Sequence, residues 1–370
     1  MSAPVPAYNA VVTTGIYCRP DCSARPAARN VIAFPLATAA EAAGFRPCHR
    51  CRPYRTSEPG RWLDSPDLVC RAVQLIVDGA LDTGGEDALA RRLGISARHL
   101  RRLFVSHVGA TPDQVARSRR AHFARRLLDD TDLAVTDIAF AAGFGSVRQM
   151  NRAMLDVFRA RPTELRARRR RSDRLVADGG LALRVPYAAP VDCGAVIDFF
   201  APRAIPGVEV VDGRRYRRTI GVDGAPGVVE IEAVPAGETE HGELRLRLHL
   251  PRWDGLLHLT QRVRRLFDLD SPVETAAEHL RADPDLAPLV DRFPGLRLPG
   301  AWDPFEMGIR ALLGQQVTVA GATTLASRLV TRFGTPVPGL SAFGLSHLFP
   351  TPATLAAADL DGLGVPGART

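Results

Sequence analysis

Two close cysteine pairs constrain this chain more than any other feature. Cys18-Arg19-Pro20-Asp21-Cys22 is followed, after 25 residues, by Cys48-His49-Arg50-Cys51. Two such pairs across a short loop-rich segment have the spacing of a four-thiolate zinc site, each pair on a tight turn with both sulfurs facing one tetrahedral ion. Pro20, Pro26, Pro35, Gly44, Pro47 and Pro53 fit a small irregular module that needs a metal to hold it. Two disulfides are the alternative, and they require an oxidising compartment. Met1 to Asn9 lack the basic segment and apolar core of a secretory signal, which favours the cytosol and zinc.

The residues around the cysteines are more specific. Thr13-Thr14-Gly15-Ile16-Tyr17-Cys18-Arg19-Pro20, Asn30-Val31 and the run Ala43-Gly44-Phe45-Arg46-Pro47-Cys48-His49-Arg50-Cys51-Arg52-Pro53 closely resemble the amino-terminal domain of the Ada family. These are bacterial adaptive-response regulators that repair methylphosphotriesters in DNA. The resemblance implies that Cys18 accepts the methyl group and that Cys18, Cys22, Cys48 and Cys51 bind Zn2+. The chemistry is coherent, because a phosphotriester methyl is an electrophilic carbon with a phosphodiester leaving group and needs an ionised sulfur. Zinc keeps a bound thiol deprotonated. The thioether product has no evident route of removal, so transfer is expected once per molecule. A four-cysteine zinc site is also a common structural staple, and a regulator with a purely structural zinc site is the alternative reading. Family members carry a further helix and strand ahead of this stretch, and the module here is expected to lack them.

The chain has 370 residues, enough for two or three domains, and 46% hydrophobic residues allow sizeable cores. It contains no run of eighteen apolar residues, so no membrane span is expected. Cys70 and Cys193 stand apart as ordinary buried or half-buried thiols. All 48 basic residues are arginine. Residues 1–171 hold 28 Arg against 16 acidic residues, whereas residues 172–370 hold 20 against 24. A front half at +12 beside a back half at −4 points to a polyanionic partner for the front, with solvated helix faces as the plainer account.

Residues 54–66 read as a linker. From Asp67 the pattern turns helical, with Leu68, Ala72, Leu75 and Ile76 on one face. A short helix over Glu86 to Leu93, a Gly94-Ile95 turn and a helix capped by Ser96 and running to about Val108 form a helix-turn-helix. Ser96, Arg98, His99, Arg101 and Arg102 stand near the start of the second helix, where base edges are read. The same grammar recurs: Thr136 caps a helix through Ala142, Gly143-Phe144-Gly145 turns, and Ser146 caps a helix over Val147 to Arg159. Ser146, Arg148, Gln149, Asn151 and Arg152 stand near its start. The two units, joined by a longer helix over 112–129, resemble the AraC-type DNA-binding domain through Gly109-Ala110-Thr111-Pro112 and Ala142-Gly143-Phe144-Gly145-Ser146. The second repeat departs from that family, with Arg159 and Arg161 where glycine and threonine are common and Met150 where an aromatic is usual. Arg101 and Arg102 could equally contact phosphates, which gives affinity without sequence information. Arg166 to Arg171 reads as a solvated basic linker against the DNA backbone.

Leu181 to Arg252 alternates apolar residues with turn residues, suggesting strands over 181–185, 228–231 and 244–248, with a helix over 196–200. This region resembles the small β domain that opens AlkA-type 3-methyladenine-DNA glycosylases. Phe267-Asp268-Leu269, Pro294-Gly295-Leu296-Arg297-Leu298-Pro299-Gly300, Asp303-Pro304-Phe305-Glu306 and the run from Ile309 to Ala320 match that family better still. In the family, the loop at Gln315 and Gln316 enters the duplex where a base is extruded. Gln316 stands where the family has an apolar wedge and would act as a polar plug; a glutamine pair bonded to nearby backbone is the alternative. The helix-hairpin-helix and the aspartate that stabilises the cationic sugar lie beyond the matched region, and Leu363-Gly364-Val365-Pro366-Gly367 comes too early in the match to be that hairpin. Neither Asp303 nor Asp359 is placed to serve as the aspartate. The region is therefore expected not to cleave glycosidic bonds and to expose Leu325, Leu329 and Phe333.

The expected architecture is multidomain α+β. It comprises a zinc methyl-acceptor module (1–56), an all-α double helix-turn-helix domain (67–170), an antiparallel β domain (180–255) and an incomplete helical glycosylase domain (256–370). The expected function is a DNA-alkylation sensor that takes a methyl onto Cys18 and activates repair genes. Its expected partners are double-stranded DNA (alkylated sites and promoters) and RNA polymerase, with no membrane, in the cytoplasm and at the nucleoid. A third reading makes the back half a non-specific DNA-holding module.

Overall fold

The computed structural model describes residues 8–56, 66–170, 173–175, 180–234, 241–271 and 273–364. The chain forms two compact units, the first holding residues 1–175 with 253–261 and 270–272, the second the remainder. No helix among the described residues is long and apolar enough to cross a membrane.

The first unit opens with strands β1 (Tyr8–Val11), β2 (Ile16–Cys18) and β3 (Val31–Phe34), helix α1 (Ala37–Ala42) and strand β4 (Arg46–Pro47). The strands form one sheet in the order β3-β1-β2-β4, with β2 and β4 parallel. The metal module is thus a small sheet packed on a helix, not an irregular loop. β1 runs ahead of the Thr13–Pro20 stretch as a central strand, so the expected loss of a preceding strand does not hold. The sheet and α1 pack around Tyr8, Ala10, Tyr17, Ala37 and Ala40.

Among the described residues eight α-helices follow: α2 (Asp67–Val77), α3 (Ala80–Thr83), α4 (Glu86–Arg92), α5 (Ala97–His107), α6 (Pro112–Asp130), α7 (Val135–Ala141), α8 (Val147–Phe158) and α9 (Pro162–Ala167). Side-chain chemistry sets several boundaries. Ser96 Oγ accepts from the His99 amide, and Ser146 Oγ from the Gln149 amide. Thr111 and Gln114 form a full capping box at α6. Thr136 is a correction: α7 starts at Val135 behind Ala134, so Thr136 lies inside the helix and caps nothing. At α9, Arg161 has no side-chain acceptor, and only the Glu164 carboxylate reaches back, to the Arg161 amide. A single core joins α2, α4, α5 and α6 and includes Leu36 and Ala39 of the metal module. Tyr54 and Arg55 pack inside the unit, contrary to a linker reading; the remainder of that stretch, 57–65, lies outside the described residues. Arg166 and Arg169 are also no solvated linker, because they donate to the carbonyls of Leu133 and Thr131.

The two helix-turn-helix units meet the metal module differently at equivalent turns. Gly109 sits at φ 75°, and a Cβ there would lie 2.9 Å from Ala39 Cβ. Its counterpart Arg159 holds φ 55°, left-handed backbone that glycine tolerates better, and its guanidinium donates to the Gly44 carbonyl at 3.3 Å.

In the second unit, β5 (Leu181–Ala188), α10 (Cys193–Phe200), β6 (Glu209–Asp212), β7 (Arg215–Val222), β8 (Ala225–Ala233) and β9 (His241–His249) precede a helical region. The five strands form an antiparallel sheet in the order β5-β9-β8-β7-β6. After α11 (Leu256–Leu266), of which residues 256–261 belong to the first unit, the helical region holds α12 (Val273–Arg281), α13 (Ala287–Arg292), α14 (Pro304–Leu313) and α15 (Val319–Phe333), the short pair β10 (Thr335–Pro336) and β11 (His347–Leu348), and α16 (Pro352–Ala356). Leu325 and Leu329 are buried against Ile205, Val208 and Leu363, with Phe333 packed on the same cluster. The expected exposure of these three side chains is therefore corrected. Of the Leu363–Gly367 stretch, residues 365–367 lie outside the described residues. Sheet and helices are also tied by a buried polar cluster. Arg218 donates to Glu306 at 2.6 Å, Arg310 to Glu209 at 2.8 Å, and the Tyr216 hydroxyl to Glu209 at 2.5 Å.

Two outcomes test this architecture. Gly94, the turn glycine between α4 and α5, has φ 72° and open space around it. Gly94→Ala should cost only the left-handed strain, about 1–2 kcal/mol. Gly109→Ala should lower the urea midpoint further, by about 1–3 kcal/mol of overpacking against Ala39; equal midpoints would place the metal module elsewhere. In the second unit, burial opposes the Glu209 charge, but Arg218 and Arg310 outweigh it and hold the carboxyl below its ordinary value. The stability this contributes is present above the unfolded value, about 4.3, and is lost as pH falls through the lower folded value. Acid melts should show that loss, and Glu209→Gln should flatten it.

Candidate metal centre and nucleic-acid interface

Cys18 ends β2, and the backbone then turns so that the Cys22 amide reaches the Arg19 carbonyl at 3.1 Å. On the other side, Cys48 follows β4, its amide bonded to the Tyr17 carbonyl at 3.0 Å. That parallel pairing brings the two cysteine pairs together. The four Sγ atoms lie within 4.8 Å of one another, with Cys18, Cys22 and Cys48 buried and Cys51 half-buried. All four are free thiols, so no disulfide links them.

The donor set fits a soft divalent cation. The hydrogen bond to Cys51, burial and the adjacent sulfurs push the Cys18 thiol up. Cys51 moves down to about 5, chiefly through its hydrogen bond with Cys18 and despite burial. Four crowded sulfurs cannot all ionise on their own account, and a bound Zn2+ supplies the charge that lets them. His49, between the ligands, is depressed by burial and by Arg46, Arg125, Arg168 and Arg52 around it, which favours the neutral imidazole. The backbone amide of Arg50 also donates to Cys48 Sγ at 3.3 Å.

The recognition helices show an uneven division of labour. Arg98, Arg101 and Arg102 are exposed on α5, and Arg148, Gln149 and Arg152 on α8. Arg101 pairs with Glu86, and Arg102 reaches His99 Nδ1 at 2.8 Å. Ser96 and Ser146 use their hydroxyls as caps and so position the helices. Gln149 Oε1 accepts from the Gly145 amide at 3.0 Å, folding that side chain onto the turn. Arg98, Arg148 and Arg152 remain the side chains most open to a duplex.

Comparison with known proteins accounts for nearly the whole chain. The family models of the metal binding domain of Ada, a helix-turn-helix domain and the AlkA N-terminal domain match residues 6–54, 89–168 and 182–303. The probable bifunctional transcriptional activator/DNA repair enzyme AlkA of Mycobacterium tuberculosis is 42% identical over 97% of this chain and 72% of its own length. The chain belongs to this Ada/AlkA family. Its front is 40% identical to Escherichia coli Ada over 36% of this chain and 37% of that protein. Its back is 37% identical to E. coli DNA-3-methyladenine glycosylase 2 over 49% of this chain and 60% of that protein.

In the AlkA-like part of this family member, Gln315 and Gln316 are exposed on the turn between α14 and α15, and Gln316 takes left-handed backbone at φ 56°. Beneath that turn lies a cavity of about 310 Å³ lined by Phe199, Arg203, Trp302, Met307 and Val317. Asp303 Oδ1 caps α14, accepting from the Phe305 and Glu306 amides at 2.9 and 3.0 Å. Asp359 Oδ1 binds the Asp361 amide. Sequence reasoning missed Arg52, Tyr54, Asp129 and Asp173, buried beside the metal module, and the Glu209–Arg218–Glu306–Arg310 cluster. The pairs Arg52–Asp129, Arg52–Asp173 and Arg218–Glu306 lie 77 to 121 positions apart in the chain, so no local pattern hinted at either.

Metal removal is the direct check of the centre. The purified chain should carry one zinc per molecule, and chelation should release it together with the β1–β4 sheet. A content below about half an equivalent would contradict a four-cysteine site.

Proposed function

We propose that this chain senses DNA methylation damage by taking a methyl group from a methylphosphotriester onto Cys18, and that it binds promoter DNA through its two helix-turn-helix units to activate repair genes. The observation that carries this reading is the convergence of the four sulfurs at the end of β2, within the segment that matches the metal binding domain of Ada. Cys18, Cys22, Cys48 and Cys51 would hold the zinc ion, which keeps their thiols ionised. The Cys18 sulfur attacks the methyl carbon in line. A carbon–sulfur bond forms, the carbon–oxygen bond breaks, and the phosphodiester leaves with the electron pair and the negative charge. Arg19, Arg46 and Arg50 flank the cysteines in the sequence and bring positive charge suited to the DNA backbone, that of Arg19 shared with Asp21 at 2.8 Å.

The modification removes one unit of negative charge from a cluster facing phosphate. At contact distance in water that is worth about 1 kcal/mol, roughly fivefold in DNA affinity, and more where solvent is excluded. Arg98, Arg101 and Arg102 on α5, with Arg148, Gln149 and Arg152 on α8, are the proposed DNA contacts. RNA polymerase is the proposed partner of the bound activator, and the nucleoid its proposed location. The four parts are proposed at the boundaries given by the sequence.

In the back half, the cavity and the exposed Gln315–Gln316 turn support DNA holding at a displaced base. Asp303 Oδ1 caps α14, which does not favour Asp303 as the carboxylate of a glycosidic cleavage. The test of methyl transfer is mass spectrometry after incubation with methylphosphotriester DNA. One methyl should appear, on the Cys18 peptide, and Cys18→Ala should abolish it. A methyl gained by that variant, or none gained by the parent chain, would leave the zinc centre purely structural.

A further inference from the structure

The strand that carries Cys18 is wired into the helical bundle through one buried carboxylate. Tyr17, fully buried beside Cys18, donates its hydroxyl to Glu41 Oε1 at 2.7 Å. The same oxygen lies 2.6 Å from His122 Nε2, midway along α6. Glu41 Oε2 is buried with no hydrogen-bond partner. The His122 ring packs 5.8 Å from the ring of Phe158, at the end of the second recognition helix α8, and 6.5 Å from Tyr54. The residue after Phe158 is Arg159, which bonds the Gly44 carbonyl three positions beyond Glu41.

This arrangement is costly for packing alone. Withdrawing a carboxylate from water with one oxygen unpaired is unfavourable, and an apolar side chain of the same volume would hold α1 against α6 at least as well. We propose that Glu41 couples the chemical state of Cys18 to the seating of α8, through the Tyr17–Glu41–His122 bridge and the His122–Phe158 ring contact. The proposal rests on Cys18 as methyl acceptor and names how that site is read out. Cys18 is buried against Cys22, Cys48, Ile16 and Ala24. A methyl added in so close-packed a place forces the end of β2 or its neighbours to move. Tyr17 moves with that strand end, and its hydroxyl is fixed to Glu41, so the displacement passes to α6 and α8 instead of dissipating at the surface.

The experiment uses the zinc-loaded full chain and methyl iodide as alkyl donor, with S-methylation of Cys18 verified by peptide mass. Amide exchange across residues 147–158 and affinity for a mixed-sequence DNA duplex are measured before and after. Methylation should change exchange at the C-terminal turn of α8 at least severalfold and should tighten the duplex. His122→Phe keeps a ring against Tyr54 and Phe158 but removes the hydrogen bond. It should bind zinc and accept the methyl as the parent does, yet lose the α8 response. Tyr17→Phe should behave alike, whereas Glu41→Gln, which keeps an acceptor oxygen, should retain the response that Glu41→Leu loses. An unchanged α8 in the methylated parent, or a full response in His122→Phe, overturns the proposal. Failure of the methyl-acceptor reading looks different: methyl iodide modifies Cys18 while methylphosphotriester DNA does not.

Discussion

The first unit depends on the burial of one arginine. Arg52 follows the last of the four clustered cysteines, takes left-handed backbone at φ 50°, and sends its guanidinium into the helical bundle. There it meets Asp173 with both terminal nitrogens at 2.8 Å, pairs with Asp129 at the end of α6, and donates from Nε to the Tyr54 hydroxyl. Arg55 pairs with Asp130, and Arg125 reaches both Asp129 and the Leu165 carbonyl on α9. Such a cluster contributes little net stability over an apolar contact. Removing one member, however, strands a buried charge at a cost of about 3–5 kcal/mol. What it confers is a single relative placement of the metal module, α6 and α9. A planar fork satisfied by two carboxylates and a phenol has few alternative geometries.

That placement explains the irregularities of the second helix-turn-helix. In the first repeat, Gly109 is required because Ala39 of the metal module comes too close for a side chain. In the second, the equivalent turn has room, and Arg159 accepts left-handed strain while its guanidinium holds the Gly44 carbonyl. The departure from glycine is thus a contact with the turn that follows α1. Arg161, where a capping threonine is common, leaves α9 with only half a capping box. Other contacts secure α9: Leu165 is fully buried and its carbonyl is bound by Arg125.

What could be read from the sequence was chemistry acting over short spans. The cysteine spacing, the Ser96 and Ser146 caps, the glycine turns and the alternating strands of the five-stranded sheet all depend on residues within a few positions of one another, and the structure contains them. The sheet of the metal module was not legible, because strands of two to four residues carry too little alternation and β2 and β4 pair across the loop between the cysteines. Thr136 misled because a threonine ahead of an apolar pattern signals a cap only when the chain enters the helix there, and entry occurs two residues earlier. The Arg52 pairs join residues 77 and 121 positions apart, and the Arg218–Glu306 pair spans 88. No local pattern announces such contacts. Leu325 and Leu329 looked exposed because their helix was considered without its partners, Ile205 and Val208 at the edge of the sheet.

The electrostatic and mechanical consequences of modifying Cys18 are complementary. Loss of one negative charge acts through space and weakens with salt, since screening at physiological ionic strength falls off over about 8 Å. Displacement of a buried strand end acts through packed atoms and is indifferent to salt. A sensor relying on charge alone would need its cluster close to phosphate in every binding pose. A metal module free to swing on a tether would rarely meet that condition. Polar bridges to one helix, α6, remove that freedom, among them those of Arg52 and Glu41 at residues 129 and 122. With the module held in this way, the proposed change at one sulfur would act within the same compact unit that carries both recognition helices. The proposed effect on DNA binding would then not require the metal module to find the duplex independently.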